Sequence, residues 1–212
     1  QFVGALRGEQ QIAVDALLPH DCGVLAATTA FGKTVVATAM IAHRQRSVLI
    51  LVHRKELLTQ WVERLKQFLS INADQIGVIG GGKRKPTGCM DVAVIQSLVR
   101  KGEVSDLIAG YGHLIVDECH HLSAASFEMV ARRSKARYVL GLSATVTRKD
   151  GHHPIIHMQC GPVRHRVDAR LQAARRGFEH KVRIRRTDFS SPASLDGDRM
   201  SMPALYAALA QD

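Results

Sequence analysis

Aromatic residues make up only 5% of this 212-residue chain, and there is a single Trp. So few rings leave little on which bases could stack, so any nucleic-acid contact is expected to run through phosphates. Cysteine is equally scarce. Cys22, Cys89, Cys119 and Cys160 are scattered with no C-x-x-C pair, which argues against a zinc ribbon or disulfide framework and for free thiols in a reducing cytoplasm. No run of 18 apolar residues occurs, so no membrane-spanning helix is implied. The opening residues Gln1-Phe2-Val3-Gly4 lack a basic region followed by an apolar core, so no secretory signal is expected. They also lack a starting Met, and the chain is expected to be a piece of something longer. Acidic residues are in deficit, 19 against 29 Lys and Arg, for a net charge of +10. Much of the excess falls late: Arg164 to Arg186 holds nine Arg or Lys against Asp168 and Glu179. That imbalance favours polyanionic partners.

What is present is an ordinary globular composition, 46% apolar and 23% charged. Strands are expected near Gly23–Ala26, Ser47–Val52, Gln75–Ile79, Val92–Ile95, His113–Val116 and Tyr138–Leu142. Several are continuous Val/Ile/Leu runs, the pattern of strands buried on both faces of a parallel sheet. Helices are expected at Gly8–Leu17, Lys33–His43, Lys55–Leu69, Leu98–Lys101 and Ala124–Arg133. In Lys55–Leu69 the apolar residues Leu57, Leu58, Trp61, Val62, Leu65, Phe68 and Leu69 recur every three or four positions, so Trp61 reads as core packing. Alternating strands and helices predict an α/β fold, a mostly parallel, doubly wound sheet with helices on both faces. Ligands bind such sheets beyond the strands' carboxyl ends.

The segment Ala27-Thr28-Thr29-Ala30-Phe31-Gly32-Lys33-Thr34 sits between an expected strand and an expected helix. A small-residue loop ending in Gly-Lys-Thr presents backbone N–H groups and a helix N-terminus to a phosphate chain. Lys33 adds a point charge, and the Thr34 hydroxyl reaches Mg²⁺. Ala27 stands where the general P-loop pattern has its first Gly. About 80 residues later, His113 to Val116 runs directly into Asp117-Glu118-Cys119-His120. Adjacent carboxylates at a strand end are costly without nearby positive charge, and Mg²⁺ bound to ATP supplies it. Asp117 then holds the metal, and Glu118 orients or deprotonates the attacking water.

Other clusters carry less. His152, His153, His157 and Cys160 are compact but lack two well-spaced ligand pairs, and read as loop and strand residues. Gly80 to Pro86, with Lys83, Arg84 and Lys85, is either a nucleic-acid contact or a solvated loop. After about Val167 the apolar periodicity weakens.

In order along Leu6 to Val167, these motifs resemble the first RecA-like domain of superfamily 2 helicases, in particular DEAD/DEAH-box-like enzymes of bacterial restriction and repair. Leu6-Arg7-Gly8-Glu9-Gln10 is similar to the family's adenine-side motif, which gives Arg7 and Gln10 to the base. Leu51 to Trp61, with His53 and Arg54, resembles a motif that contacts the nucleic-acid backbone, and Val94 to Leu98, with Gln96 and Ser97, resembles the next one. Asp117 to His120 looks like the DExH box. Gly141 to Thr145 carries Ser143-Ala144-Thr145, the family's coupling motif, followed by Val146 where Pro is usual.

The resemblance implies a RecA-like P-loop domain over residues 1–167 and a basic connector over 168–212, leading toward a second RecA-like domain of the same polypeptide. Lys33, Asp117, Glu118 and His120 are the implied catalytic residues, with His120 linked to Ser143 and Thr145. ATP and Mg²⁺ are the implied cofactors. DNA is the expected track in preference to RNA, in a cytoplasmic protein with no membrane attachment, with room for a nuclease or another defence or repair partner. An arginine finger is worth ~10³–10⁵ in turnover in related chemistry, so the isolated chain is expected to hydrolyse ATP weakly or not at all. Two other readings stand beside this one: a P-loop NTPase acting on protein, and a vestigial, non-enzymatic nucleic-acid-binding module. The basic tail and His53-Arg54-Lys55 weigh against the first. Retention of Lys33, Thr34, Asp117 and Glu118 weighs against the second.

Overall fold

In the central strand Val48–Val52 every side chain is buried, and successive residues enter opposite halves of the core. Val48, Ile50 and Val52 pack on one face of the sheet, Leu49 and Leu51 on the other. A two-residue period with both faces covered is what a continuous aliphatic run becomes in a parallel sheet.

The computed structural model describes residues 1–100, 102–121, 124–144 and 153–167, all within one compact unit, Gln1–Arg175. The elements are α1 (Gly8–Leu17), β1 (Cys22–Ala26), α2 (Lys33–Arg44), β2 (Val48–Val52), α3 (Lys55–Phe68), β3 (Ile76–Gly80), β4 (Lys83–Lys85), β5 (Met90–Val94), β6 (Val99–Arg100), β7 (Glu103–Val104), β8 (His113–Val116), α4 (Ala124–Arg133), β9 (Tyr138–Ser143), α5 (His153–Cys160) and β10 (Val163–Arg166). The main sheet runs β10-β1-β9-β8-β2-β5-β3-β4. All of its pairings are parallel except β3 with β4. Residues from α1, α2 and α3 fill one core, and residues from α4 and α5 fill the other. No helix among the described residues is long and apolar enough to cross a membrane.

Three local expectations are corrected. The helix expected at Leu98–Lys101 is absent. Ile95–Leu98 is a single 3₁₀ turn, and Val99–Arg100 pairs antiparallel with Glu103–Val104. Gly102 turns that hairpin at φ +80°, a conformation that suits glycine. Lys83–Lys85, expected in a loop, is an exposed edge strand paired with β3 across Gly81 and Gly82, whose φ values of +58° and +82° match a tight hairpin turn. Three basic side chains on an edge strand discourage pairing with another sheet. His153 and His157, expected in loop and strand, belong to α5, which places Ile156 and Cys160 in the core. His152, Thr145 to Arg148 and the connector expected at 168–212 lie outside the described residues.

At the opposite edge from the motifs, His113 opens β8 with 1% exposure. Neither ring nitrogen has a hydrogen-bond partner among the described residues, and the ring meets Tyr138 edge-on at 6.1 Å. The Arg44 guanidinium lies 3.9 Å above that Tyr138 ring. Burial first, then the positive charge of Arg44, push the His113 pKa down to about 3. Above about pH 6.5 the imidazole is neutral whether the chain is folded or unfolded. Below it the unfolded chain takes up a proton that the folded chain refuses until about pH 3. Stability therefore falls as pH decreases through this window, by up to ~1.4 kcal/mol per pH unit. His113→Leu is expected to remove that part of the slope. Urea midpoints of both proteins from pH 7 to pH 4 check it, and parallel curves would refute it.

Candidate nucleotide site

Strand order brings the motifs together. β9 lies between β1 and β8, with Ala26 opposite Ser143 and Val116 opposite Gly141. The residues that follow β1 and β8 therefore emerge on either side of Ser143, at one carboxyl edge. Ala27 N–H donates to the Ser143 carbonyl at 2.9 Å, extending the pairing into the P-loop.

The loop folds around Phe31, whose ring is fully buried. Thr29–Phe31 forms a single 3₁₀ turn with Ala30 exposed, and Gly32 follows at φ +90°. Gly32 is the loop's one residue in the left-handed region, so Ala30 asks nothing unusual of the backbone. A Cβ on Gly32 would stand 2.6 Å from Gln10 Nε2. Gln10 closes the loop from behind: its Nε2 donates to the Phe31 carbonyl at 2.9 Å, and its Oε1 accepts from Arg7 N at 3.0 Å. Arg7 Nη2 also donates to the Phe31 carbonyl. The two residues expected at the base thus grip the phosphate loop itself. The Gln10 amide keeps one N–H and one lone pair beyond these bonds.

Lys33 opens α2 with only 5% of its surface exposed. Its Nζ donates to the Ala27 carbonyl at 3.0 Å and pairs with Glu118 Oε1 at 3.1 Å. Glu118 adopts φ +46°, a costly backbone for this residue type and one that recurs at functional sites. Its second oxygen accepts from Ala144 N at 3.2 Å. The same oxygen lies 3.2 Å from His120 Nδ1, which stands 2.9 Å from Ser143 Oγ. Polar contacts therefore run unbroken from the P-loop lysine through Glu118 and His120 to the end of β9.

Asp117 follows β8 with 8% exposure. Burial pushes its carboxyl above the usual range, opposed first by a hydrogen bond from Trp61. That bond, indole Nε1–H to Oδ2, is 2.8 Å and buried. Asp117, Thr34 and Trp61 border one cavity of about 340 Å³, with Gln60, Glu63 and Arg64 on its α3 side. A carboxylate and a hydroxyl on one cavity suit Mg²⁺, a hard ion that takes one or two protein oxygens and fills its remaining positions with water and phosphate. Sequence reasoning missed the role of Trp61. Its apolar spacing explains the ring, but the partner of its N–H lies 56 residues away.

The expected nucleic-acid residues occupy the other half of the same edge. His53, half-buried, and Arg54, exposed, follow β2, whereas exposed Gln96 and half-buried Ser97 follow β5, its neighbour. The end of β3 abuts Ser97, since a Cβ on Gly80 would lie 3.2 Å from Ser97 Oγ.

Residues 4–148 match the family described as type III restriction enzyme, res subunit. A DNA 3'-5' translocase XPB2 from Sulfurisphaera tokodaii is 31% identical over 178 residues, 84% of this chain and 39% of that protein. A DNA 3'-5' helicase XPB from Kineococcus radiotolerans is 34% identical over 167 residues, 76% of this chain and 30% of the relative. The chain thus spans well under half the length of these relatives. In three dimensions it is similar to the UvsW helicase of bacteriophage T4, with a TM-score of 0.66 at 19% identity over 77% of this chain and 61% of that one. It also resembles the type ISP restriction-modification enzyme LlaGI, with a TM-score of 0.60 at 17% identity over 81% of this chain and 20% of that one. At such identities the structural likenesses speak for the fold. By its match over residues 4–148, the chain belongs to the family of type III restriction enzyme res subunits, as a first RecA-like domain of the superfamily 2 helicases.

Proposed function

We propose that this chain is the ATP-binding half of an ATP-driven DNA translocase or helicase. The observation that carries the reading is the run of contacts from Lys33 through Glu118 and His120 to Ser143, with Asp117 alongside. Lys33 and the N–H groups of Thr28 to Thr34 receive the outer phosphates of ATP, at the N-terminus of α2. Arg7 and Gln10 read adenine with the bonding capacity left beyond the loop, so base recognition and loop shape share the same side chains. Thr34 and Asp117 hold Mg²⁺, which when bound neutralises charge developing on the phosphates. Glu118 Oε1 and Oε2 orient water and accept its proton. His120 senses Glu118 and passes its state to Ser143 and Thr145.

On the same edge, His53, Arg54, Gln96 and Ser97 follow the backbone of DNA. The two XPB relatives are named for DNA and support it as the track, whereas a mimivirus relative 31% identical is named a putative ATP-dependent RNA helicase. The family's restriction context leaves room for a nuclease partner. Residues 168–212 connect to a second RecA-like domain of the same cytoplasmic polypeptide, and that domain completes the ATP site. The test is hydrolysis by the intact protein with and without nucleic acid. Duplex DNA is expected to raise the rate clearly above the DNA-free value, as closure of the second domain brings further positive charge to the phosphates. A rate indifferent to DNA and RNA alike would sink the reading.

A further inference from the structure

We propose that Trp61 is a positioning residue for the metal-bound nucleotide, holding the Asp117 carboxylate through its indole N–H. The inference rests on the reading of Thr34 and Asp117 as the metal-holding pair.

The role divides between the two parts of the side chain. The Trp61 ring belongs to the core that joins α3 to the sheet, with 2% of the residue exposed. Packing accounts for a large apolar group there, and Phe or Leu would satisfy it. The N–H is a different matter, because a buried indole donor needs a partner. Here the partner is a carboxylate oxygen at 2.8 Å, a charge-assisted bond of the stronger kind. Indole nitrogen only donates, so this contact suits an ionised Asp117 and does not reverse. With Oδ2 engaged by Trp61, the carboxylate is held in one orientation at the cavity it shares with Thr34. The carboxylate also takes a hydrogen bond from the Glu118 backbone, and with about four acceptor positions it keeps room for the ion. The rest of α3 contributes at the same place, since Gln60 and Arg64 line that cavity too. α3 begins immediately after His53 and Arg54. One helix therefore joins the expected DNA-contacting turn to the carboxylate expected to hold the metal.

The experiment measures ADP affinity of the 212-residue chain by calorimetry, with Mg²⁺ and with EDTA, for the wild type and Trp61→Phe. Phe keeps an aromatic ring, smaller than indole, and deletes the donor. Magnesium is expected to tighten ADP binding by the wild type. Trp61→Phe is expected to lose about tenfold of that gain, the scale of one charge-assisted hydrogen bond, with its affinity in EDTA unchanged. Equal loss with and without Mg²⁺ would mean a packing role and overturn the inference, as would a gain fully kept by the variant. If the variant fails to fold, the wild type decides. Trp61 is the sole Trp, and its emission is expected to shift when Mg²⁺ is added to the ADP-saturated chain. Unchanged emission on a measurable magnesium gain overturns the inference. A wild type with no magnesium gain removes the metal reading of Thr34 and Asp117 itself, and this inference with it.

Discussion

Lys33→Ala is expected to abolish measurable Mg-ATP binding by this chain and to lower hydrolysis by the intact protein about 10²–10³-fold, the cost of deleting one preorganised charge at a reacting group. Lys33 is 95% buried, with its ammonium between the Ala27 carbonyl and Glu118 Oε1. It is therefore already oriented, and little side-chain entropy is lost when a phosphate arrives. Alanine removes the charge and also leaves Glu118, whose side chain is 18% exposed, without its cation. Two negative carboxylates, Asp117 and Glu118, would then face an incoming polyphosphate with no lysine between them. Calorimetric titration of Mg-ATP checks the binding, and the thermal midpoint checks that the variant is folded. A folded variant with affinity within about twofold of the wild type would remove Lys33 from the phosphate site.

Glu118→Gln separates binding from chemistry. The two side chains have the same shape, so the turn at φ +46° and the packing around it are preserved. The amide cannot take a proton from water, and a positioned general base contributes about 10²–10⁴-fold. Hydrolysis is expected to fall by that factor while Mg-ATP still binds. A structural cost accompanies the change. Glu118 accepts from Lys33 Nζ on one oxygen and from Ala144 N on the other. The new NH₂ must face one of these donors, at roughly 1–3 kcal/mol. The variant is therefore expected to be less stable than the wild type, yet to retain nucleotide and DNA together. Hydrolysis rates and ATP-dependent DNA retention of the intact protein measure this directly. Hydrolysis within a few-fold of the wild type would exclude Glu118 as the base.

Much of the architecture is local in origin and could be read before any coordinates. Gly8–Leu17 and Ala124–Arg133 are helices with the bounds their sequence predicts, and Lys55–Leu69 loses only Leu69, which turns extended after the last helical residue. The aliphatic runs at β2 and β8 are strands because nothing but a doubly covered sheet accommodates so many adjacent branched side chains. Errors cluster in short segments whose structure is set by the element they pack or pair against. Lys83–Lys85 is polar throughout and becomes a strand only because β3 offers it an edge. His153–Cys160 has too few residues for a clear period, and its buried positions are set by the sheet beneath.

The site divides along the same line. Gly32-Lys33-Thr34 and Asp117-Glu118 are legible as sequence because each is a contiguous device: a left-handed glycine leading into a helix N-terminus, and two carboxylates at a strand end. Sequence alone also determined the basic charge, the scarcity of rings and the alternation of strand and helix. Only the tertiary structure decided that β9 lies between β1 and β8 and so brings Ser143 to both motifs. It alone turned Gln10 onto the Phe31 carbonyl and Trp61 onto Asp117. The physical reason is that a hydrogen bond between residues 21 or 56 positions apart leaves no periodic trace along the chain. Its donor and acceptor meet only after the sheet has chosen its strand order.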